Sequence, residues 1–181
     1  MKAVVLLADG FEECEALIVV DILRRAGVKT IMASVAGKID VDSSRHIIVK
    51  ADSLADEVDY KDIDLIFLPG GRLGTDNLEK SELVKAKCGE FAETKMVAAI
   101  CAAPSILAGL GFLEGKEATC HPDYEDKMCG TVLTHESVAV SENIITGQGL
   151  GATFDLAFKL VEMLVGDEKV QQIKTAICYK G

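Results

Sequence analysis

The sequence predicts an open, doubly wound α/β domain, a parallel sheet with helices on both faces. Three observations carry this. Short apolar, β-branched-rich runs alternate with segments of helical period from one end of the chain to the other. Several of those runs are apolar at consecutive positions, as strands buried on both faces are. The chain has 181 residues, 49% hydrophobic and 27% charged, the size and balance of one globular domain spanning residues 1–181. A chain of this length buries roughly 70% of its unfolded surface, so its core needs no staples.

The elements follow in order. KAVVLLA (residues 2–8) reads as a buried strand. From Glu12 the period changes: Ala16, Val19, Val20, Leu23 and Ala26 recur at helical spacing, and Gly27 is the stop. Glu12, Glu13 and Glu15 load the helix start with negative charge and Arg24 and Arg25 the end with positive charge, as the macrodipole favours. VKTIMASVA (28–36) is a second strand, and RHIIVKAD (45–52) a shorter one that suits an excursion from the main sheet. DIDLIFLPGG (62–71) is a strand entering a Pro-Gly-Gly turn, with a helix expected over 81–94. KMVAAI (95–100) is the next strand and PSILAGLG (104–111) the next helix. KEATC (116–120) and VAVSENIITGQG (138–149) supply further strands, and helices at 152–166 and 167–177 end the chain.

The net charge of −10 argues against nucleic acid and anionic membranes as partners, since like charges repel. No apolar run approaches the roughly 18 residues that span a bilayer. The N-terminus lacks a small-residue cleavage site, and the expected location is cytoplasmic. The six cysteines are scattered, with no C-x-x-C pair, and each by default is a small buried hydrophobe. Cys120, His121 and Cys129 lack a fourth ligand and a usual zinc spacing, so no metal is expected.

In an open parallel sheet, ligands bind beyond the carboxyl ends of the strands. Strand direction alone gathers the glutamates of DGFEECE, the Gly70–Gly71 pair, Cys101, His121 and the GQGLGA loop on that edge. Cys101 ends a strand and precedes Ala102, Ala103 and Pro104, which suit a tight strand-to-helix elbow. There a helix N-terminus would lower the thiol pKa. The N–H groups of Gly70, Gly71 and Ala102 are placed to form an oxyanion hole. A carboxyl group beside the thiol would move protons. Each part also has a bland reading: core thiol, turn glycines, helix-start charge, loop histidine.

The combination GFEECEAL, DILRRAG, SR, LPGG, AAICAAP, HPDYEDKM and LTHESVAVSENIITGQGLGATFDLA resembles the ThiJ/PfpI family over nearly the whole chain. Within it the chain is similar to the branch of the parkinsonism-associated protein deglycase and its bacterial relatives. The resemblance implies a flavodoxin-like fold, a homodimer and no cofactor. It implies that Cys101 is the nucleophile, with Glu15, rather than Glu12 or Glu13, bonded to its sulfur as a protonated carboxyl that favours the thiolate. Gly70, Gly71 and Ala102 would frame the oxyanion and His121 would lie nearby. Arg45, with Arg25 of a partner subunit, would draw anions. Two positions depart from the family. Ala102 stands where protease-like members carry histidine, which disfavours peptidase or amidase chemistry. Leu150, between Gly149 and Gly151, stands where the branch often has proline.

The resulting expectation is a cofactor-independent enzyme acting on reactive carbonyls. It would hydrate methylglyoxal or glyoxal as a glyoxalase III does, or deglycate adducts on protein or nucleotide. The alternative is a cysteine redox sensor or stress-protective chaperone.

Overall fold

The computed structural model describes residues 1–180. Its core is a seven-stranded sheet built on the apolar runs. In chain order the elements are β1 (Lys2–Leu7), α1 (Glu13–Arg25), β2 (Lys29–Ser34), β3 (Asp40–Asp42), β4 (Ile48–Lys50), β5 (Ser53–Leu54) and β6 (Leu65–Leu68). There follow α2 (Arg72–Lys80), α3 (Glu82–Thr94), β7 (Met96–Ile100) and α4 (Pro104–Gly109). The remainder is β8 (Glu117–Ala118), β9 (Val132–Leu133), β10 (Val138–Ser141), β11 (Ile144–Gly147), α5 (Thr153–Val165) and α6 (Asp167–Ala176).

The strand order is β10-β11-β7-β6-β1-β2-β5. All neighbours are parallel except the edge hairpin β10–β11. The side-chain period of two divides β1 between two cores. Ala3, Val5 and Leu7 join Leu65, Phe67, Ala98 and Ile100 beneath α1, α5 and α6. Val4, Leu6 and Ala8 join Ile66, Leu68, Val97 and Ala99 beneath α3 and α4. Consecutive apolar residues are thus what a strand covered on both faces requires, and the predicted fold class stands.

Two details differ from the expectation, the helix after Gly71 and the place of KEATC, while the RHIIVKAD excursion is as expected. The segment after Gly71 is helical at once: α2 precedes α3, whose start is capped by Ser81 Oγ accepting the Val84 N–H at 3.4 Å. The RHIIVKAD run pairs with β3 in a two-stranded excursion. The KEATC run leaves the main sheet: only Glu117 and Ala118 are strand, paired with β9 in a small separate sheet. His121 therefore does not sit at the end of a main-sheet strand. It is brought to the sheet edge because its N–H donates to the Cys101 carbonyl at 2.8 Å. Among the described residues no helix is long and apolar enough to cross a membrane.

Candidate active site

The carboxyl ends of β1, β6 and β7 open into a cavity of about 1250 Å³ that contains Glu15, Gly71, Cys101, Ala102 and His121. Cys101 follows β7 with φ +64, in the left-handed region that costs an L-residue roughly 1–2 kcal/mol. Its backbone is pinned on both sides: its N–H donates to Gly147 O at 2.9 Å, and its carbonyl accepts from His121. The turn into α4 then begins with the Ala103 N–H on Ile100 O at 3.0 Å. The elbow is strained and held by its neighbours, as the small residues after Cys101 suggest.

The N-cap and first turn of α1 present three carboxylates, and helix rotation sends them to different places. Glu15 is 1% exposed and faces the thiol, while its Oε2 accepts the Gly70 N–H at 2.8 Å. Glu12 Oε2 and Glu13 Oε2 both lie on Ser44 Oγ, at 2.8 and 3.1 Å. Burial opposes the charge on Glu13, but hydrogen bonds from its own N–H, Ser43, Ser44 and the Arg45 N–H outweigh it and hold its carboxyl below the ordinary range. Glu13 thus staples the loop that carries Arg45.

Gly70 and Gly71 are required by close approach. A Cβ on Gly70 would lie 2.6 Å from Cys101 Cβ and 2.6 Å from Glu15 Oε2. One on Gly71, whose φ is +91, would collide with the Gly10 carbonyl. Of the three expected oxyanion donors, one is already engaged. The Gly70 N–H is engaged by Glu15, while the Gly71 and Ala102 N–H groups face the Cys101 sulfur.

The thiol is not depressed by a helix dipole. Helix α4 has six residues and starts three positions after the sulfur. Burial pushes Cys101 up to about 12, an ionised Glu15 adds to this, and the Gly71 and Ala102 N–H groups oppose it. Burial likewise raises Glu15 to about 7, opposed by the Gly70 N–H. The two groups titrate as a pair with one proton between them. Burial holds the shared proton tightly between them, and Glu15 is the carboxyl placed to exchange it with the Cys101 thiol.

Arg45 is an exposed residue on the cavity wall, and its guanidinium Nη1 donates to Ser44 O at 3.4 Å. Arg25 is absent from the wall of its own chain's cavity and pairs instead with Asp21 at 2.6 Å. Sequence reasoning passed over Lys38 and Arg72, which also line the cavity. Lys38 pairs with Asp9 at 2.9 Å, and Arg72 Nη2 lies 3.9 Å from Asp123 Oδ2. Arg72 directly follows Gly71, and that adjacency was the available signal. The Gly149–Leu150–Gly151 loop borders the cavity with Leu150 exposed, and Gly149 lies against the His121 ring.

Comparison with known proteins identifies relatives of the whole chain. The chain is 39% identical over 184 residues to the Parkinson disease protein 7 homolog of Danio rerio, covering 99% of this chain and 97% of that protein. It is 30% identical over 185 residues to the glutathione-independent glyoxalase DJR-1.2 of Caenorhabditis elegans, covering 98% and 96%. The crystal structure of Drosophila melanogaster DJ-1beta superposes with a TM-score of 0.93 at 34% identity, over 99% of this chain and 98% of that one. Oxidized Toxoplasma gondii DJ-1 does so at 0.94 and 34%, over 99% of each. The DJ-1/PfpI family model matches residues 1–163. On the family match over residues 1–163 and the full-length relatives, the chain belongs to the DJ-1/PfpI family.

Proposed function

We propose that the protein is a cofactor-independent enzyme that converts 2-oxoaldehydes such as methylglyoxal and glyoxal to hydroxy acids, with deglycation of early adducts as the related activity. The observation that carries the reading is the buried Glu15 carboxyl on the thiol of a strained elbow cysteine, at the floor of an open cavity. The family relative from Caenorhabditis elegans, a glutathione-independent glyoxalase, supports the same chemistry.

The steps need no outside oxidant. The Cys101 sulfur adds to the aldehyde carbon as its proton passes to Glu15. Glu15 passes that proton on to the aldehyde oxygen as the hemithioacetal forms, which frees its carboxylate again. Glu15 then removes the hydrogen from that carbon as a proton and returns it to the neighbouring carbon, while the hydroxyl proton of the first carbon moves to the oxygen of the second, so the first carbon is oxidised and the second reduced. The resulting thioester is cleaved by water, which releases the hydroxy acid and restores the thiol. On the same reading the chain is one domain over residues 1–181, works as a homodimer in the cytoplasm, and uses Arg45 and the partner subunit's Arg25 to attract anions.

The test is lactate formed from methylglyoxal without glutathione. Wild type should turn over, and Cys101→Ser and Glu15→Gln should each lose roughly 100-fold or more. Negligible wild-type turnover overturns the reading. A second reading, Cys101 as a redox sensor, has the oxidized Toxoplasma gondii relative in its favour and the raised thiol pKa against it. Mild peroxide that adds oxygen to Cys101 ahead of the exposed Cys14, Cys129 and Cys178 would support the sensor.

A further inference from the structure

The cavity around Cys101 is far larger than a three-carbon substrate fills: about 1250 Å³, above the range of roughly 300–1,000 Å³ that houses drug-sized ligands. Arg72 lines it, and the backbone brings this residue to the nucleophile. Gly70 passes so near that a Cβ on it would stand 2.6 Å from Cys101 Cβ. Arg72 follows two residues on, with its Cα no more than about 7.6 Å from that of Gly70. Its backbone is fixed there, because the Gly74 N–H donates to Gly10 O at 3.1 Å and the Thr75 N–H to Gly71 O at 2.8 Å.

In the free protein this is an unfavourable place for a cation. Arg72 is the first residue of α2, a helix with no acidic residue in its first turn and no side-chain cap. The partial positive charge of a helix N-terminus repels a guanidinium. Arg24 bonds Thr30 O and Asp52, Arg25 bonds Asp21, and Arg45 bonds Ser44 O. The only ion pair of Arg72 among the described residues is with Asp123 Oδ2 at 3.9 Å, beyond hydrogen-bond reach. Its planar fork of N–H donors is thus left for a group that enters the cavity, and a carboxylate matches that fork in the bidentate geometry. Beside it Leu73 and Leu150 are exposed on the same wall and offer apolar contact to a short carbon chain. The wall also limits the charge it accepts, since it carries five carboxylates besides Glu15 against three cations. A singly charged carboxylate is repelled less there than a doubly charged phosphate.

We propose that Arg72 is a specificity-determining residue and that the substrate is a 2-oxoaldehyde whose far end carries a carboxylate. The inference rests on the carbonyl reading above and narrows its substrate class. The aldehyde meets Cys101, the carbon chain lies along the cavity wall, and the carboxylate takes the guanidinium fork. The reaction is unchanged: one water is taken up, the aldehyde carbon is oxidised, its neighbour is reduced, and the distant carboxylate is untouched. The product is a 2-hydroxy dicarboxylic acid.

The probes are 4,5-dioxopentanoate, its methyl ester, which removes the charge, and 4-oxopentanoate, which lacks the aldehyde and cannot react. In wild type, kcat/KM should be roughly tenfold or more higher for the acid than for the ester, the size of one charge-assisted hydrogen bond, and added salt should shrink that preference. In Arg72→Gln the preference should vanish, through KM, whatever the variant does to turnover of the ester. 4-Oxopentanoate should raise the melting temperature of wild type and not that of the variant. Wild type that turns over the ester without preferring the acid, or an equal preference in the variant, overturns this proposal alone. A melting shift with 4-oxopentanoate that Arg72→Gln abolishes, without turnover of any 2-oxoaldehyde, overturns the carbonyl reading alone. Neither turnover nor a melting shift overturns both.

Discussion

Replacing Glu15 with glutamine should raise stability at alkaline pH while it removes turnover. Burial first, and the charge of Glu12 in addition, raise the Glu15 carboxyl from 4.5 to about 7, and the Gly70 N–H only partly offsets this. The folded protein therefore holds this proton more tightly than the unfolded chain. The stability so gained is complete below pH 4.5, falls as the pH rises toward about 7, and is gone above it. The shift of 2.5 units (7 minus 4.5), at about 1.36 kcal/mol per unit, corresponds to about 3 kcal/mol. Glutamine carries no charge at any pH, and its carbonyl can still accept from Gly70. Urea unfolding of both proteins at one protein concentration should show the variant gaining on wild type by about 2–3 kcal/mol between pH 5 and pH 8. A difference that does not change with pH, or that changes in the opposite direction, would refute a desolvated Glu15.

Further substitutions test the frame around the pair. Gly70→Ala should cost about 1–3 kcal/mol and abolish turnover, read by unfolding and lactate assay, because its Cβ must displace Cys101 or Glu15, each 2.6 Å away. Gly109→Ala, at the exposed end of α4 with nothing within 4 Å of the new Cβ, should stabilise by about 0.5–1 kcal/mol and leave turnover unchanged. Leu7→Ala, in a strand buried on both faces, should lower stability by about 2–5 kcal/mol in the same unfolding measurement.

The central strands were legible because β1, β6 and β7 are buried on both faces, which writes continuous apolar runs into the sequence. Helix α2 was not. Its segment, RLGTDNLEK, holds two leucines and a glycine, and it is helical where Gly74 packs directly on the Phe11 backbone. KEATC reads as a sheet strand by composition, yet its partner is β9, a pairing no local pattern states. At the site, Cys101 and the double glycine announce themselves as turn residues. Glu12, Glu13 and Glu15 are equivalent in sequence, since all are acidic residues of one helix start. Which of them meets the sulfur depends on how α1 is rotated against the sheet.

The sequence by itself determined the layered α/β class, the strand-to-helix elbow and the set of groups available on the sheet edge. These follow from hydrophobic period and turn chemistry, which act between near neighbours in the chain. Only the tertiary structure decided how the protons and donors are allotted. The Gly70 amide serves a carboxylate 55 residues away, and burial raises that Glu15 carboxyl where it faces the Cys101 thiol. A pKa or an oxyanion contact is set by distances between segments that the folded backbone brings together, and those distances have no local signature.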